Sequence, residues 1–239
     1  AVHEHHGFEP FAMADPFPIY AELRREEPVM FDERIGYYVV TRYDDIKATF
    51  ANWEQFSSEN AQAPVRPAGE PAKRIMTEGG FTAYSGLSAR VPPEHTRIRD
   101  VATKAFTPRR YKVLEPLIRE NIDRLIDRML AEGAPADIVA SLAWDVPTIT
   151  ILTLLGVPID MIPQVKEWAG SRAAMTWGDL SDEDQIPHAI NLVEYWNYCQ
   201  QLVSESKANP GDDLVGDMVR LQAEGNEIND HEIASFRLP

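Results

Sequence analysis

The sequence predicts a mainly α-helical protein with a small β-sheet near its N-terminus. Three observations lead there. Val29-Met30-Phe31 and Tyr37-Tyr38-Val39-Val40-Thr41 are short β-rich runs around Asp32-Glu33-Arg34-Ile35-Gly36, the pattern of a hairpin. Beyond residue 92, apolar residues recur at helical spacing through most of the chain. At 239 residues, 44% hydrophobic and 26% charged, the chain is long and apolar enough to bury a sizeable core.

Residues 1–14 read as a loosely ordered arm. Pro16 and Pro18 after Asp15 fit a helix start, and Ile19, Tyr20 and Leu23 give it an apolar stripe up to Pro28. After the hairpin, Thr41 and Asp44 resemble an N-cap arrangement, with Ile46 and Phe50 as the inward face. Residues 57–91 read as irregular, because Pro64, Pro67, Gly69, Pro71, Gly79, Gly80 and Gly86 break any long period. A loop of that length in a compact domain is usually functional or mobile. Pro92-Pro93 starts a helix. Val113, Leu117, Ile122, Leu125, Ile126 and Met129 mark another, ending near Gly133. Further helices are expected over roughly 142–155, 160–176, 185–207 and 212–224. The most apolar run, Ile149–Leu155, ends at Gly156 and Pro158 and reads as a buried helix. It falls well short of the ~20 residues needed to cross a bilayer, so no membrane partner is expected.

The formal net charge of −15 argues against nucleic acid as a partner, since phosphate binding needs a positive footprint. The charge is uneven. Residues 90–112 hold seven Arg or Lys against Glu94 and Asp100, a local net of +5 that leaves −20 for the rest. Such a positive island suits an acidic partner or an anionic cofactor. A single cysteine excludes an internal disulfide and favours a reducing, cytoplasmic setting.

The densest chemistry lies in Pro92-Pro93-Glu94-His95-Thr96-Arg97-Ile98-Arg99. His95 and Arg99 are four residues apart on one helix face, their Cβ atoms roughly 5–6 Å apart. An imidazole beside a guanidinium near a helix N-terminus is a good receptor for a carboxylate or phosphate. On spacing alone the pair also reads as a solvated face, with Glu94 or Asp100 as partners. Lys104-Ala105-Phe106-Thr107-Pro108-Arg109-Arg110 follows, with more positive charge and a second helix start.

P-P-E-H-T-R-I-R followed by K-A-F-T-P-R-R resembles the C-helix and the start of the D-helix of bacterial cytochromes P-450, the haem-thiolate monooxygenases. Pro210-Gly211-Asp212-Asp213-Leu214-Val215 resembles that family's start of helix H, and the likeness runs over nearly all of residues 10–235. Trp177–Ser181 and Glu194–Cys199 are similar to the self-sufficient branch, fused to a flavin and iron–sulfur reductase.

The resemblance implies the cytochrome P-450 fold, with helices A to H present and residues 15–239 forming the N-terminal portion of one haem domain. It implies haem b as cofactor, with His95 and Arg99 on the propionates. It implies insertion of one oxygen atom from O2 into a small apolar organic substrate, by hydroxylation or O-dealkylation. Electrons would come from NAD(P)H through an acidic electron-transfer protein or a fused reductase. Phe81, Thr82, Tyr84 and Leu87 of the B–C loop, with Ala174 and Met175 (and Thr176 beside them) at the end of the F-helix, are the expected substrate contacts. The same aromatics read equally well as pins holding the loop to the body. Arg97, Lys104, Arg109, Arg110 and Lys112 are expected to form the docking face for the electron donor, or a solvated face.

The resemblance also places the I-helix, the E-x-x-R pair and the iron-ligating cysteine loop beyond Pro239, so no catalytic residue is assigned in this chain. Cys199, in a helical aromatic stretch with nothing electropositive nearby, reads as a small buried hydrophobe rather than that ligand. Ala1-Val2-His3, with His5 and His6, could chelate copper or nickel, but terminal histidines are usually incidental and no metal site is assigned. Ser181 and Asp184 fit a capped helix start. The competing reading is a non-catalytic helical scaffold whose basic helix docks an acidic partner.

Overall fold

The computed structural model describes residues 8, 9, 11, 14–82 and 86–236, without the side chains of 109–111. The sequence-predicted terminal arm, its candidate metal-binding histidines and Tyr84 lie largely or wholly outside those residues.

Helix α1 (Phe17–Glu26) leads into an antiparallel pair, β1 (Val29–Asp32) and β2 (Tyr37–Val40), in which Val29 faces Val40 and Asp32 faces Tyr37. Buried Phe8, Leu23 and Met30 form a small core between helix and hairpin. Asp32 has no exposed side-chain surface. Arg34 closes over it with a 2.7 Å ion pair and also reaches Glu9 and the Phe8 carbonyl.

Helix α2 (Tyr43–Ala51) starts without the expected side-chain cap. Thr41 Oγ1 donates to the Pro28 carbonyl at 3.1 Å instead, tying the hairpin to the end of α1. Ile46 is half-buried, but Phe50 is 84% exposed, so the predicted inward face holds at one position only.

The segment expected to be irregular contains a helix, α3 (Glu70–Glu78). Its Pro and Gly residues delimit it rather than prevent it. Gly69 is the N-cap, Pro71 lies in the first turn where its missing N–H costs nothing, and Gly79 is the C-cap. A Cβ on Gly69 would lie 2.4 Å from the Asp182 carboxyl carbon, and one on Gly79 would lie 2.4 Å from a Val193 methyl. Both ends of α3 therefore fit close against residues 182–193.

Helices α4 (Glu94–Ala105), α5 (Pro108–Glu132), α6 (Asp145–Leu154), α7 (Ile162–Trp177), α8 (Gln185–Ala208), α9 (Leu214–Ala223) and α10 (Asp230–Ser235) complete the body. A π-helical turn over Val139–Ala143 precedes α6. Before α8, Ser181 Oγ accepts from the Asp184 N–H at 3.1 Å, but this closes the preceding turn. The N-cap itself, Asp184, makes no side-chain cap, so the expected capped start is not formed.

Helix α8 is the centre of the core. Tyr195, Trp196, Cys199 and Val203 are fully enclosed or nearly so, among Val165 and Trp168 of α7, Val215 and Met218 of α9, and Ile233 of α10. Trp168 stacks on Tyr195 with centroids 5.5 Å apart. Cys199 is wholly buried here, the position of a small core side chain.

Gly156 shows why the apolar α6 stops where it does. Its φ of +77° is a conformation other residues rarely adopt, and a Cβ there would lie 2.5 Å from the Asp213 carboxyl carbon. Asp213 in turn caps α9, accepting from the Gly216 N–H at 2.8 Å.

Candidate functional site

Helix α4 divides its basic residues between two sides. At about 100° per residue, His95 and Arg99 lie within about 40° of each other, while Arg97 lies on the far side from His95. Ile98, Val101, Ala102 and Ala105 are buried on the inward face. Arg97 turns inward with them. Its Nη2 and Nη1 donate to the two Glu232 carboxylate oxygens at 2.6 and 3.2 Å, and Nη1 also donates to the Glu227 carbonyl at 2.6 Å.

Glu232 is 5% exposed and belongs to a reciprocal cap on α10. Its backbone N–H donates to Asn229 Oδ1 at 2.8 Å, and its carboxylate accepts from the Asn229 N–H at 3.0 Å. Burial acts to raise its pKa. The hydrogen bonds from Arg97 and Asn229, with the charges of Arg97 and Arg90, outweigh burial and leave it below the usual carboxylate range. The Arg97 guanidinium is raised in turn, chiefly by its hydrogen bond to Glu232. Arg97 is thus a fold contact, which corrects its expected place on a docking face.

His95 is half-buried and Arg99 exposed, and among the described residues no ion pair or hydrogen bond engages the side chain of either one; the Arg99 carbonyl accepts from Thr103 Oγ1 at 2.8 Å. The pair stands ready on one side of α4 while the helix is locked by the other. His95 also borders a groove with Trp53, Phe56, Leu87, Ser88 and Arg90. Leu87, expected in the substrate pocket, lines the same groove as His95. Lys104 is exposed, and its Nζ donates to Asn226 Oδ1 at 2.6 Å. Lys112 is exposed, and the side chains of Arg109 and Arg110 lie outside the described residues.

A second feature joins three distant parts of the chain. A cavity of about 200 Å³ is lined by Gln62, Pro64 and Ala68, by Met76 of α3, by Phe81, by Arg172, Met175 and Thr176 of α7, and by Leu192 of α8. It brings together three residues expected to touch substrate, Phe81, Met175 and Thr176. Phe81 packs edge-on to Trp196 at 6.4 Å, so it also serves as the pin that the alternative reading allowed. Thr82 is exposed, and neither it nor Ala174 lines the cavity.

Sequence reading missed Arg172 and Gln62. Arg172 Nη2 donates to Gln62 Oε1 at 3.0 Å, while Gln62 Nε2 donates to Ser88 Oγ at 3.0 Å and its Oε1 accepts from the Gly86 N–H at 3.2 Å. Gln62 thereby fastens the 86–88 segment to α7. Burial pushes the Arg172 guanidinium below its ordinary pKa, against a smaller opposing effect of Tyr195. No local pattern marks Arg172, and Gln62, to which it donates, lies 110 residues away.

No family profile matches the chain. A solved cytochrome P450, CREJ in complex with (4-ethylphenyl) dihydrogen phosphate, superposes with a TM-score of 0.93 at 66% identity, over 98% of this chain and 58% of that one. Mycinamicin IV hydroxylase/epoxidase of Micromonospora griseorubida is 31% identical over 225 residues, 92% of this chain and 52% of the relative.

This chain belongs to the cytochrome P450 family.

An intact type IV self-sufficient cytochrome P450 monooxygenase also matches, with a TM-score of 0.87 at 28% identity, over 97% of this chain and 31% of that one. The chain spans about half the length of the curated P450 relatives it matches. Its α4 offers what a haem propionate needs, two nitrogen-bearing side chains on one face with no protein ion pair among the described residues. Cys199, sealed in the core on α8, lies on no such face. No helix among the described residues is long and apolar enough to cross a membrane.

Proposed function

We propose that residues 15–239 form the N-terminal portion of a single P450 haem domain. The enzyme inserts one oxygen atom from O2 into a small, mainly apolar organic substrate, by hydroxylation or O-dealkylation. The observation that carries this reading is the likeness to P450 CREJ, 66% identical over 98% of the chain. The enzyme class follows that of named relatives, which include the cytochrome P450 monooxygenase PikC of Streptomyces venezuelae.

Haem b, when bound, supplies the oxygen chemistry, and the protein positions it. His95 and Arg99 donate charge-assisted hydrogen bonds to its propionates. Residues 79–91 shape the substrate pocket, with Phe81 and Met175 as its apolar wall. Electrons from NAD(P)H arrive through an acidic electron-transfer protein or a fused reductase, in the cytoplasm. Lys104, Lys112, Arg109 and Arg110 form the docking face.

The ligand of CREJ is an alkylated aromatic ring carrying a phosphate. We assign this chain a substrate of the same kind, apolar over most of its length and anionic at one end. A purely apolar substrate gives the half-buried Arg172 at the cavity nothing to bind.

The test is spectroscopic. Purified protein carrying this chain, reduced under CO, is expected to show the Soret shift of thiolate-ligated haem. A native protein of the chain's own 27.0 kDa that binds no haem overturns the reading in favour of a helical scaffold.

A further inference from the structure

We propose that Arg172 is the specificity-determining residue of the substrate site, receiving the phosphate of an aryl phosphate monoester in the cavity between Gln62, Phe81 and α7. This rests on the reading above that the cavity faces substrate, and it names the group that selects among substrates.

The cavity's composition carries the argument. Its lining is apolar at Pro64, Ala68, Met76, Phe81, Met175 and Leu192, and no carboxylate lines it among the described residues. Three polar side chains break that surface. Arg172 brings a guanidinium, Gln62 an amide and Thr176 a hydroxyl. A guanidinium presents five N–H donors in a planar fork that matches two oxygens of a phosphate. One of them donates to Gln62 Oε1 at 3.0 Å, which ties the fork to the cavity wall.

Size points the same way. About 200 Å³ falls below the roughly 300–1,000 Å³ of a pocket that encloses a whole drug-sized ligand. The space suits a head group and the adjoining edge of a ring, with Phe81 and Met175 beside the ring.

Electrostatics adds a reason for an anion. Burial opposes the charged form of Arg172. A phosphate monoester, with a charge of about −1.5 to −2 near neutral pH, favours the charged form of that half-buried guanidinium. A neutral phenol does not.

The test compares 4-ethylphenyl phosphate with 4-ethylphenol, using the haem-loaded full-length protein and its Arg172→Ala and Arg172→Lys variants. Affinity is read by calorimetry and by the substrate-induced Soret shift. The wild-type protein is expected to bind the phosphate ester at least tenfold more tightly than the phenol. Arg172→Ala should weaken binding of the ester roughly 10- to 100-fold and leave the phenol within twofold. Arg172→Lys, which keeps the charge but not the fork, should fall between. Equal wild-type affinities for ester and phenol overturn the proposal without any variant. So does an Arg172→Ala protein with an intact CO spectrum that binds the ester as tightly as wild type. Absence of a thiolate-haem spectrum in the wild type is a different failure, because it removes the functional reading itself.

Discussion

Arg97 and Glu232 lie 135 residues apart in sequence, and their side chains meet at 2.6 Å. The pair fastens α4 to α10, so that the helix carrying His95 and Arg99 is held from behind. Glu232 also caps α10, and one carboxylate therefore serves two junctions.

Removing either partner leaves a charge in a poorly solvated place. Glu232→Gln should cost roughly 2–3 kcal/mol, measured as a lower midpoint in urea with an unchanged slope. Since the folded pKa of Glu232 is depressed, its contribution is present above about pH 4.3 and is lost as pH falls through the lower folded value. The wild-type and Glu232→Gln curves should converge in acid. A gap that widens there contradicts this account.

Asp32 should behave alike at the other end of the chain. The hydrogen bond from Arg34 is the main cause of its lowered pKa. Stability from this pair exists above about pH 3.9 and fades as pH drops through the folded value. Asp32→Asn is therefore expected to melt earlier than wild type at pH 7 and with a smaller difference near pH 3. Equal melting temperatures at pH 7 count against it.

Gly156→Ala tests a tight corner. The positive φ alone costs about 1–2 kcal/mol for a residue with a Cβ. The added methyl must also displace Asp213, the cap of α9, worth about another 1 kcal/mol. Alanine at Gly36, which also has a positive φ but no atom within 4 Å of its Cβ position, should cost only the first part. Thermal denaturation of the two variants gives the comparison.

His95→Ala and Arg99→Ala should fold normally and lose haem faster, each by roughly tenfold, in a haem-transfer assay against an excess acceptor. If the double variant retains haem like wild type, α4 is not part of the cradle. Cys199→Ser serves as the complementary control. A hydroxyl in that dry position should lower stability by about 1–3 kcal/mol and leave the thiolate-type CO spectrum unchanged.

Much of this fold was legible because its helix ends carry strong local signals. Gly133, Pro108 and Asp213 stop or start helices through their own backbone or side-chain chemistry. The same signals misled at residues 57–91, where glycine and proline were read as interruptions although Gly69, Pro71 and Gly79 bound the short α3. Phe50 and Arg97 were misplaced for a related reason. A helical period shows that a face exists but not what covers it, and the covering group for Arg97 is Glu232, far along the chain. His95 and Arg99 could be found because their relation is a matter of four residues. Arg172 could not, since Gln62, Phe81 and α7 become neighbours only after folding.

The division of labour on α4 also bears on how this segment could change over evolutionary time. Single replacements alter one contact and leave the others in place. One residue inserted between Thr96 and Ile98 would turn everything beyond it by about 100° relative to what came before. His95 and Arg99 would then no longer share a face, and the buried stripe from Ile98 to Ala105 would swing toward water. The segment should accept varied side chains while holding a fixed length, so among relatives its alignment should be free of gaps even where its residues differ.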